Sequence, residues 1–167
     1  MTLSSGISFL VDQVMAATGR RPNTAGLGLD AVGVTMGQQG QIIVDAESRT
    51  SIPSIFAIGD VTNRINLTPV AIAEGHAFAD SEFGGNKRVV DHKNVASAVF
   101  SQPPIASVGL TETEAKAAFG AITVFTSGFR AMKNTISGRA EKTFLKLIVD
   151  RASDRVVGAH MMGPDCG

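Results

Sequence analysis

The sequence predicts an α/β protein whose second half is an α+β unit. Two observations carry this prediction. In the first half, short apolar runs alternate with loops rich in Gly and Pro. Beyond residue 89, several runs of strand length follow one another around one capped helix. The 167 residues are 44% hydrophobic and 18% charged, which is typical of a globular chain with a real core.

Three apolar runs in the first half predict strands, of which the first and the last are predicted to be buried. They cover residues 9–17, 41–45 and 55–58, and each ends at a Gly, Asp or Pro turn. A helix over residues 69–82 follows.

The start of that helix is predicted by Thr68, a favourable N-cap, and Pro69, a favourable first helical residue. Gly84 and Gly85 predict its end. Its predicted apolar face consists of Val70, Ala73, Ala77 and Phe78.

The second half predicts a sheet with one helix. A strand pattern over residues 95–108 is interrupted by two prolines, and further strands are predicted at 121–129, 143–150 and 155–162. Residues 151–154 have the composition of a hairpin turn. Thr111 and Glu114 have the spacing of a capping box, which predicts a helix start.

Composition excludes several classes of function. Fifteen basic and fifteen acidic residues give a net charge of zero, so the sequence has no excess of positive charge that would indicate binding to nucleic acid or an anionic membrane. No apolar run reaches bilayer length, and the first residues do not have the pattern of a secretory signal. Cys166 is the only cysteine, so no internal disulfide can form. We expect a reducing, cytoplasmic location.

Three short segments are candidates for ligand contacts. In the loop at residues 18–23, Gly permits close approach and Arg20 can reach a phosphate, but a solvated surface turn has the same composition. Asp60 follows a buried run, where it can accept sugar hydroxyls or cap the next turn. The helix start at Thr68 offers N–H groups to an anion or a carbonyl, unless it is an ordinary cap.

These segments occur together in the order of a known family. Residues 17–23 read ATGRRPN, residues 55–71 read IFAIGDVTNRINLTPVA, and residues 99–112 read VFSQPPIASVGLTE. This series resembles the pyridine nucleotide-disulfide oxidoreductases and, within them, the bacterial and plant glutathione reductases. The last motif resembles the opening of the family's dimerisation domain.

The resemblance implies a domain organisation. Residues 1–19 would end an NADPH-binding domain, residues 20–88 would be a segment of an FAD-binding domain, and residues 89–167 would be a dimerisation domain, incomplete at its C-terminus. It also implies FAD and NADPH as cofactors, glutathione disulfide as substrate and a homodimer as the assembly.

The resemblance also implies roles for individual residues. Asp60 would accept a hydrogen bond from the FAD ribitol, and the helix that begins at Thr68 would point a backbone N–H at the flavin pyrimidine. Arg20 would approach the FAD pyrophosphate and Gly19 the nicotinamide nucleotide. Asn66 and Ala98 would touch the nicotinamide through backbone groups. The other cofactor-binding residues implied by the same motifs are Gly59 and Leu67.

The sequence departs from the family's pattern in ways that bear on catalysis. It has no Cys-x-x-x-x-Cys pair and no Gly-x-Gly-x-x-Gly loop, and none of its three histidines precedes a proline. His76 stands where some relatives place a substrate-binding arginine. The resemblance therefore assigns this chain no catalytic residue and no metal ligand, and we expect it to be an inactive fragment. A trypanothione or mercuric reductase, or a non-catalytic dimerisation or binding module, remains an alternative.

Overall fold

The computed structural model describes all 167 residues, which divide into two compact units, Met1–Arg64 and Ile65–Gly167. The first unit contains one short 3-10 helix, Gly59–Thr62, and isolated backbone bridges instead of regular strands. Its core is formed by Val34, Ile42 and Ala57. Partly buried apolar side chains pack around this core: Leu29, Met36, Val44, Ile52, Ile55 and Val61.

The strand predicted at residues 9–17 is wrong. Every residue of that run is exposed, and the nearby backbone pairing is a single bridge between Thr2 and Ser8. A doubly buried strand needs neighbouring strands that satisfy its N–H and C=O groups. No segment of the first unit supplies them, so apolar composition alone does not produce a strand here.

The strands predicted at residues 41–45 and 55–58 are also wrong, although both runs pair locally. Each forms one bridge, Met36 with Ile42 and Arg49 with Phe56. Tight turns at Gly40 and Ser48, both at positive φ, reverse the backbone between the paired residues. Too few residues then remain on either side to extend a ladder. The apolar prediction holds in one respect, since Ile42 and Ala57 are buried.

The second unit begins with helix α1, Thr68–Glu82, close to the predicted range. The N-cap position is occupied by Leu67, whose side chain makes no cap hydrogen bond, so Thr68 is the first helical residue and not the predicted cap. Val70 and Ala77 are buried as expected, and Glu74 is buried beside them. The predicted terminator Gly84 lies two residues after the helix ends.

A five-stranded antiparallel sheet forms the rest of the second unit. Its strands are β1 (Ser97–Val99), β2 (Ile105–Gly109), β3 (Ile122–Phe129), β4 (Thr143–Asp150) and β5 (Arg155–Met162). They are arranged in the order β1-β2-β5-β4-β3. The predicted strands are confirmed, as is the hairpin that joins β4 to β5. The mixed α and β content agrees with the predicted fold class.

Two helices accompany the sheet. Helix α2, Glu112–Phe119, begins with the predicted capping box, in which Thr111 accepts from the backbone of Glu114 and Glu114 accepts from the backbone of Thr111. Helix α3, Met132–Ser137, was not predicted from the sequence. Its six residues carry no N-terminal cap, and Asn134 is held by a hydrogen bond from Nδ2 to the Glu141 carbonyl at 3.3 Å.

The two faces of the sheet differ in what covers them. Residues paired across neighbouring strands lie on one face, and alternate residues lie on opposite faces. Lys146 and Ile148 therefore lie on the face where Glu112 of α2 contacts Lys146, and Ile148 is fully buried. Leu147 lies on the opposite face with its partner Phe125, and both remain well exposed to solvent.

Candidate cofactor-contact segments

In the first unit, Gly19 and Arg20 line an open cavity of about 570 Å³. Gly19 has a φ of 99°, a conformation that favours glycine. The cavity walls are formed by Ala16, Thr18, Gly19, Arg20, Arg21, Gln38 and Gln39. The guanidinium groups of Arg20 and Arg21 are exposed and form no ion pair within the chain. Such groups, beside an open backbone, can receive an anion.

Gly59 and Asp60 begin the 3-10 helix of the first unit. Gly59 is buried with a φ of 69°, and its carbonyl accepts a hydrogen bond from Thr62 Oγ1 at 2.8 Å. The backbone carbonyl of Asp60 accepts from the Asn63 N–H at 3.1 Å, which closes the turn. The Asp60 carboxylate does not cap this turn; it is exposed and has no partner in the chain. It is therefore available to accept hydroxyl groups.

In the second unit, the start of α1 lies next to an apolar cavity of about 420 Å³. Leu67 and Pro69 line it from the helix side, and Ala98 lines it from β1. Residues of β2 and β5 form a further part of the wall, which also includes Phe100 and Cys166. The structure thus brings together two residues, Leu67 and Ala98, that are 31 positions apart in sequence and were both predicted to contact the cofactor.

The chemistry of this helix start suits a flat ring that carries carbonyl oxygens. No side chain caps the N–H groups of the first turn of α1, and no acidic residue occupies that turn. Uncapped N–H groups and the positive end of the helix dipole attract partial negative charge. The adjoining cavity is apolar and can bury a ring face. Thr68 and Asn66 are exposed at this helix start.

A contact that sequence reasoning missed lies on the same helix. The Glu74 carboxylate is 2% exposed, and its Oε1 lies 2.6 Å from Nε2 of His92. The sequence signal was a charged residue at an apolar-face position of a predicted helix, which requires a buried partner. The partner lies 18 residues away in an irregular segment, so sequence spacing could not identify it.

Three carboxylates of the second unit have lowered pKa values. A hydrogen bond and the positive charge of Lys146 lower the pKa of Glu112. Hydrogen bonds from Thr111, chiefly from its backbone N–H, lower the pKa of Glu114. The Ser153 hydroxyl, followed by the backbone N–H groups of the hairpin turn, lowers the pKa of Asp150. All three groups stabilise turns or helix ends and lie outside the apolar cavity.

His160 and Cys166 have hydrogen-bond partners in the second unit. His160 lies half-buried in β5, and its Nε2 is 3.0 Å from the Leu110 carbonyl. Cys166 is a partly buried free thiol whose Sγ lies 3.0 Å from the Pro104 carbonyl. His76 is exposed on α1. No helix of the structure combines the length and apolarity needed to cross a bilayer.

Comparisons with known proteins show which family the chain resembles. Residues 1–75 match the family model described as pyridine nucleotide-disulphide oxidoreductase, and residues 95–167 match that family's dimerisation domain. A glutathione reductase of Burkholderia cepacia is 56% identical over 163 residues, which are 98% of this chain and 36% of that protein. The glutathione reductase of Pisum sativum is 53% identical over 91% of this chain and 28% of its own length.

More distant relatives extend the comparison. A trypanothione reductase of Trypanosoma congolense is 49% identical over 98% of this chain and 33% of that protein. The solved structure of the HOCl-induced flavoprotein disulfide reductase RclA from Escherichia coli superimposes with a TM-score of 0.81 at 32% identity, covering 89% of this chain and 34% of that one. The chain therefore spans about a third of the length of these relatives. It belongs to the pyridine nucleotide-disulphide oxidoreductase family.

Proposed function

We propose that this chain is part of an FAD-dependent, NADPH-using glutathione-disulfide reductase that works as a homodimer. The observation that carries the proposal is the uncapped start of α1 beside an apolar cavity lined by Leu67 and Ala98. It is supported by the glutathione reductases that are 56% and 53% identical to this chain. The match to a dimerisation domain over residues 95–167 supports the assembly.

Different residues of the chain would contact different parts of the cofactors. FAD, when bound, supplies the two-electron chemistry that links NADPH to a disulfide. The first-turn N–H groups at Thr68 would stabilise negative charge on the flavin pyrimidine, and Leu67 would pack beside it. Asp60, positioned by Gly59, would accept a ribitol hydroxyl. Asn66 and Ala98 would offer backbone groups to the nicotinamide.

The loop of the first unit would bind the phosphate-bearing parts of the cofactors. Arg20 carries a permanent positive charge into the open cavity and suits the FAD pyrophosphate. Gly19 has no side chain and allows the nicotinamide nucleotide to approach the backbone. In this proposal residues 1–19 belong to the NADPH-binding domain, residues 20–88 to the FAD-binding domain and residues 89–167 to the dimerisation domain. The single cysteine supports a cytoplasmic location.

The proposal is tested with the complete protein, expressed with its flanking sequence. We expect a yellow protein with about one FAD per subunit that oxidises NADPH only when glutathione disulfide is added. Trypanothione disulfide and mercuric ion, supplied in parallel, should support much slower turnover. Faster turnover with either would assign the protein to that alternative reductase, and a colourless, inactive protein would favour a binding or dimerisation module.

A further inference from the structure

The contact between Glu74 and His92 fixes one side of α1 to the segment that follows it. His92 Nε2 lies 2.6 Å from Glu74 Oε1, which is hydrogen-bond distance between the imidazole ring and the carboxyl group. The Glu74 side chain is 2% exposed and that of His92 is 26% exposed. A buried carboxyl group that loses its hydrogen-bond partner is costly to the folded state.

The contact joins α1 to the segment that leads to Ala98, which lines the apolar cavity. His92 lies in the irregular segment 83–96, which connects α1 to β1. No Cα atom of α1 comes within 8 Å of a Cα atom in any strand of the sheet. The backbone of α1 is therefore not in close contact with the sheet, and contacts between α1 and the connecting segment contribute to the distance between the helix start and Ala98.

A second contact between the same two elements is exposed and serves as a comparison. Arg88 Nη1 lies 2.5 Å from Asp80 Oδ2 near the end of α1, with side chains 52% and 42% exposed. Exposed ion pairs contribute little, because solvent screens the charges and the long side chains lose entropy. The Glu74–His92 contact is partly buried, with the Glu74 side chain almost fully enclosed, and it lies about two turns from Thr68 at the start of α1.

We propose that Glu74 and His92 are positioning residues that hold the uncapped start of α1 in place against the Ala98 side of the cavity. This inference rests on the proposed function, because it names what fixes the flavin-facing helix start. The pair touches neither the cavity wall nor the N–H groups of the first turn. It acts through the orientation of the helix, so its loss changes how the helix start meets the flavin.

The test uses the complete flavoprotein and measures the flavin dissociation constant and the visible spectrum of the bound flavin. His92→Ala should raise the dissociation constant about tenfold, which corresponds to about 1.4 kcal/mol, and shift the flavin absorbance maximum. His92→Gln should have the wild-type dissociation constant and absorbance maximum, because the amide N–H of Gln reaches the position of imidazole Nε2. Glu74→Gln, which removes the charge of the acceptor, should resemble His92→Ala. Arg88→Ala should match the wild type.

Three results would overturn the inference. In the first, His92→Ala retains wild-type flavin affinity and spectrum. In the second, Arg88→Ala weakens binding as much as His92→Ala. In the third, His92→Gln fails to restore binding although its apoprotein melts at the wild-type temperature. A wild-type complete protein without flavin would instead refute the proposed function itself, so the two failures are distinguishable.

Discussion

Lys146 Nζ lies 3.0 Å from Glu112 Oε1, which joins the middle of β4 to the first turn of α2. Glu112 also lies at the helix N-terminus, where the helix dipole favours a negative charge. The hydrogen bond and charge of Lys146 lower the pKa of Glu112 in the folded chain. A carboxyl whose pKa falls on folding stabilises the folded state only while it is ionised.

The stability of the chain should therefore depend on Glu112 in a pH-dependent way. The stabilisation is fully present above the unfolded-state pKa, about 4.3, and is lost as pH falls through the lower folded-state pKa. Glu112→Gln should melt below the wild type at pH 7, and the difference should shrink as pH falls below about 4. Thermal unfolding across this range measures it. Glu141→Gln is the control, since its exposed carboxylate has no partner in the chain. A constant difference at every pH would contradict the assignment.

The capping box of α2 should contribute to stability through Thr111. Its Oγ1 accepts from the Glu114 N–H at 3.3 Å, and its own N–H donates to Glu114 Oε2 at 2.8 Å. Thr111→Ala should cost about 1 kcal/mol in the free energy of unfolding, because a first-turn N–H loses its acceptor. Thr113→Ala, an exposed change within the helix, should cost less than Thr111→Ala or even stabilise. Equal losses in urea unfolding would show that the cap is unimportant.

The parts of this fold that could be predicted from sequence are those that local signals determine. Helix α2 has its cap within three residues, and β4 and β5 share a short turn, so their pattern was sufficient. The strand predicted at residues 9–17 was wrong because an apolar run does not specify the partner strands that a sheet requires. Helix α3 was missed because six residues without a cap carry almost no periodic signal.

The candidate site divides in the same way. The helix start at Thr68 was visible because Pro69 marks it locally, although the N-cap position fell one residue earlier, at Leu67. Two relationships depend on how the chain returns past α1. Leu67 and Ala98 line one cavity, and Glu74 contacts His92. No periodicity within one element contains that information, so these relationships required the structure.

Gly158 in β5 should not tolerate a side chain. A Cβ added there would lie 2.2 Å from the Leu110 carbonyl oxygen and 3.2 Å from Ile148 Cδ1. The first contact is with backbone and cannot be relieved by a rotamer change. Gly158→Ala should therefore destabilise the chain by about 1–3 kcal/mol, as overpacking does. Gly128→Ala in β3 is the matched control, since an added Cβ meets nothing within 4 Å. Chemical denaturation of both variants should show a loss only for Gly158.

In the proposed reductase, Asp60 should matter for flavin retention. Its exposed carboxylate has no partner in the chain and would accept a ribitol hydroxyl. A hydrogen bond to a charged group contributes about 1.5–3 kcal/mol, so Asp60→Ala should weaken FAD binding roughly tenfold or more. The KM for glutathione disulfide, measured with excess FAD, should change little. Asp30→Ala is the control, an exposed carboxylate elsewhere in the same unit. Normal flavin retention with a raised KM would refute the ribitol role.

The sheet face opposite α2 should drive self-association of the 167-residue chain. Phe125 and Leu147 face each other across β3 and β4 and are 56% and 41% exposed. Met161 is on the same face, paired with Leu145 of β4, and is 37% exposed. Adjacent apolar side chains on an open sheet face favour burial against another molecule.

We expect sedimentation equilibrium of the 167-residue chain at micromolar concentration to show reversible association, and the Phe125→Lys/Leu147→Lys double variant to shift the equilibrium towards monomer. The two lysines would place like charges in the patch, which opposes its burial without changing the strands' backbone pairing. Ile72→Lys is the matched control, because Ile72 is a 54% exposed apolar residue on α1, away from the sheet. An Ile72→Lys chain that dissociates as fully as the double variant would locate the association surface elsewhere, and a wild-type chain that stays monomeric would show that this face does not associate.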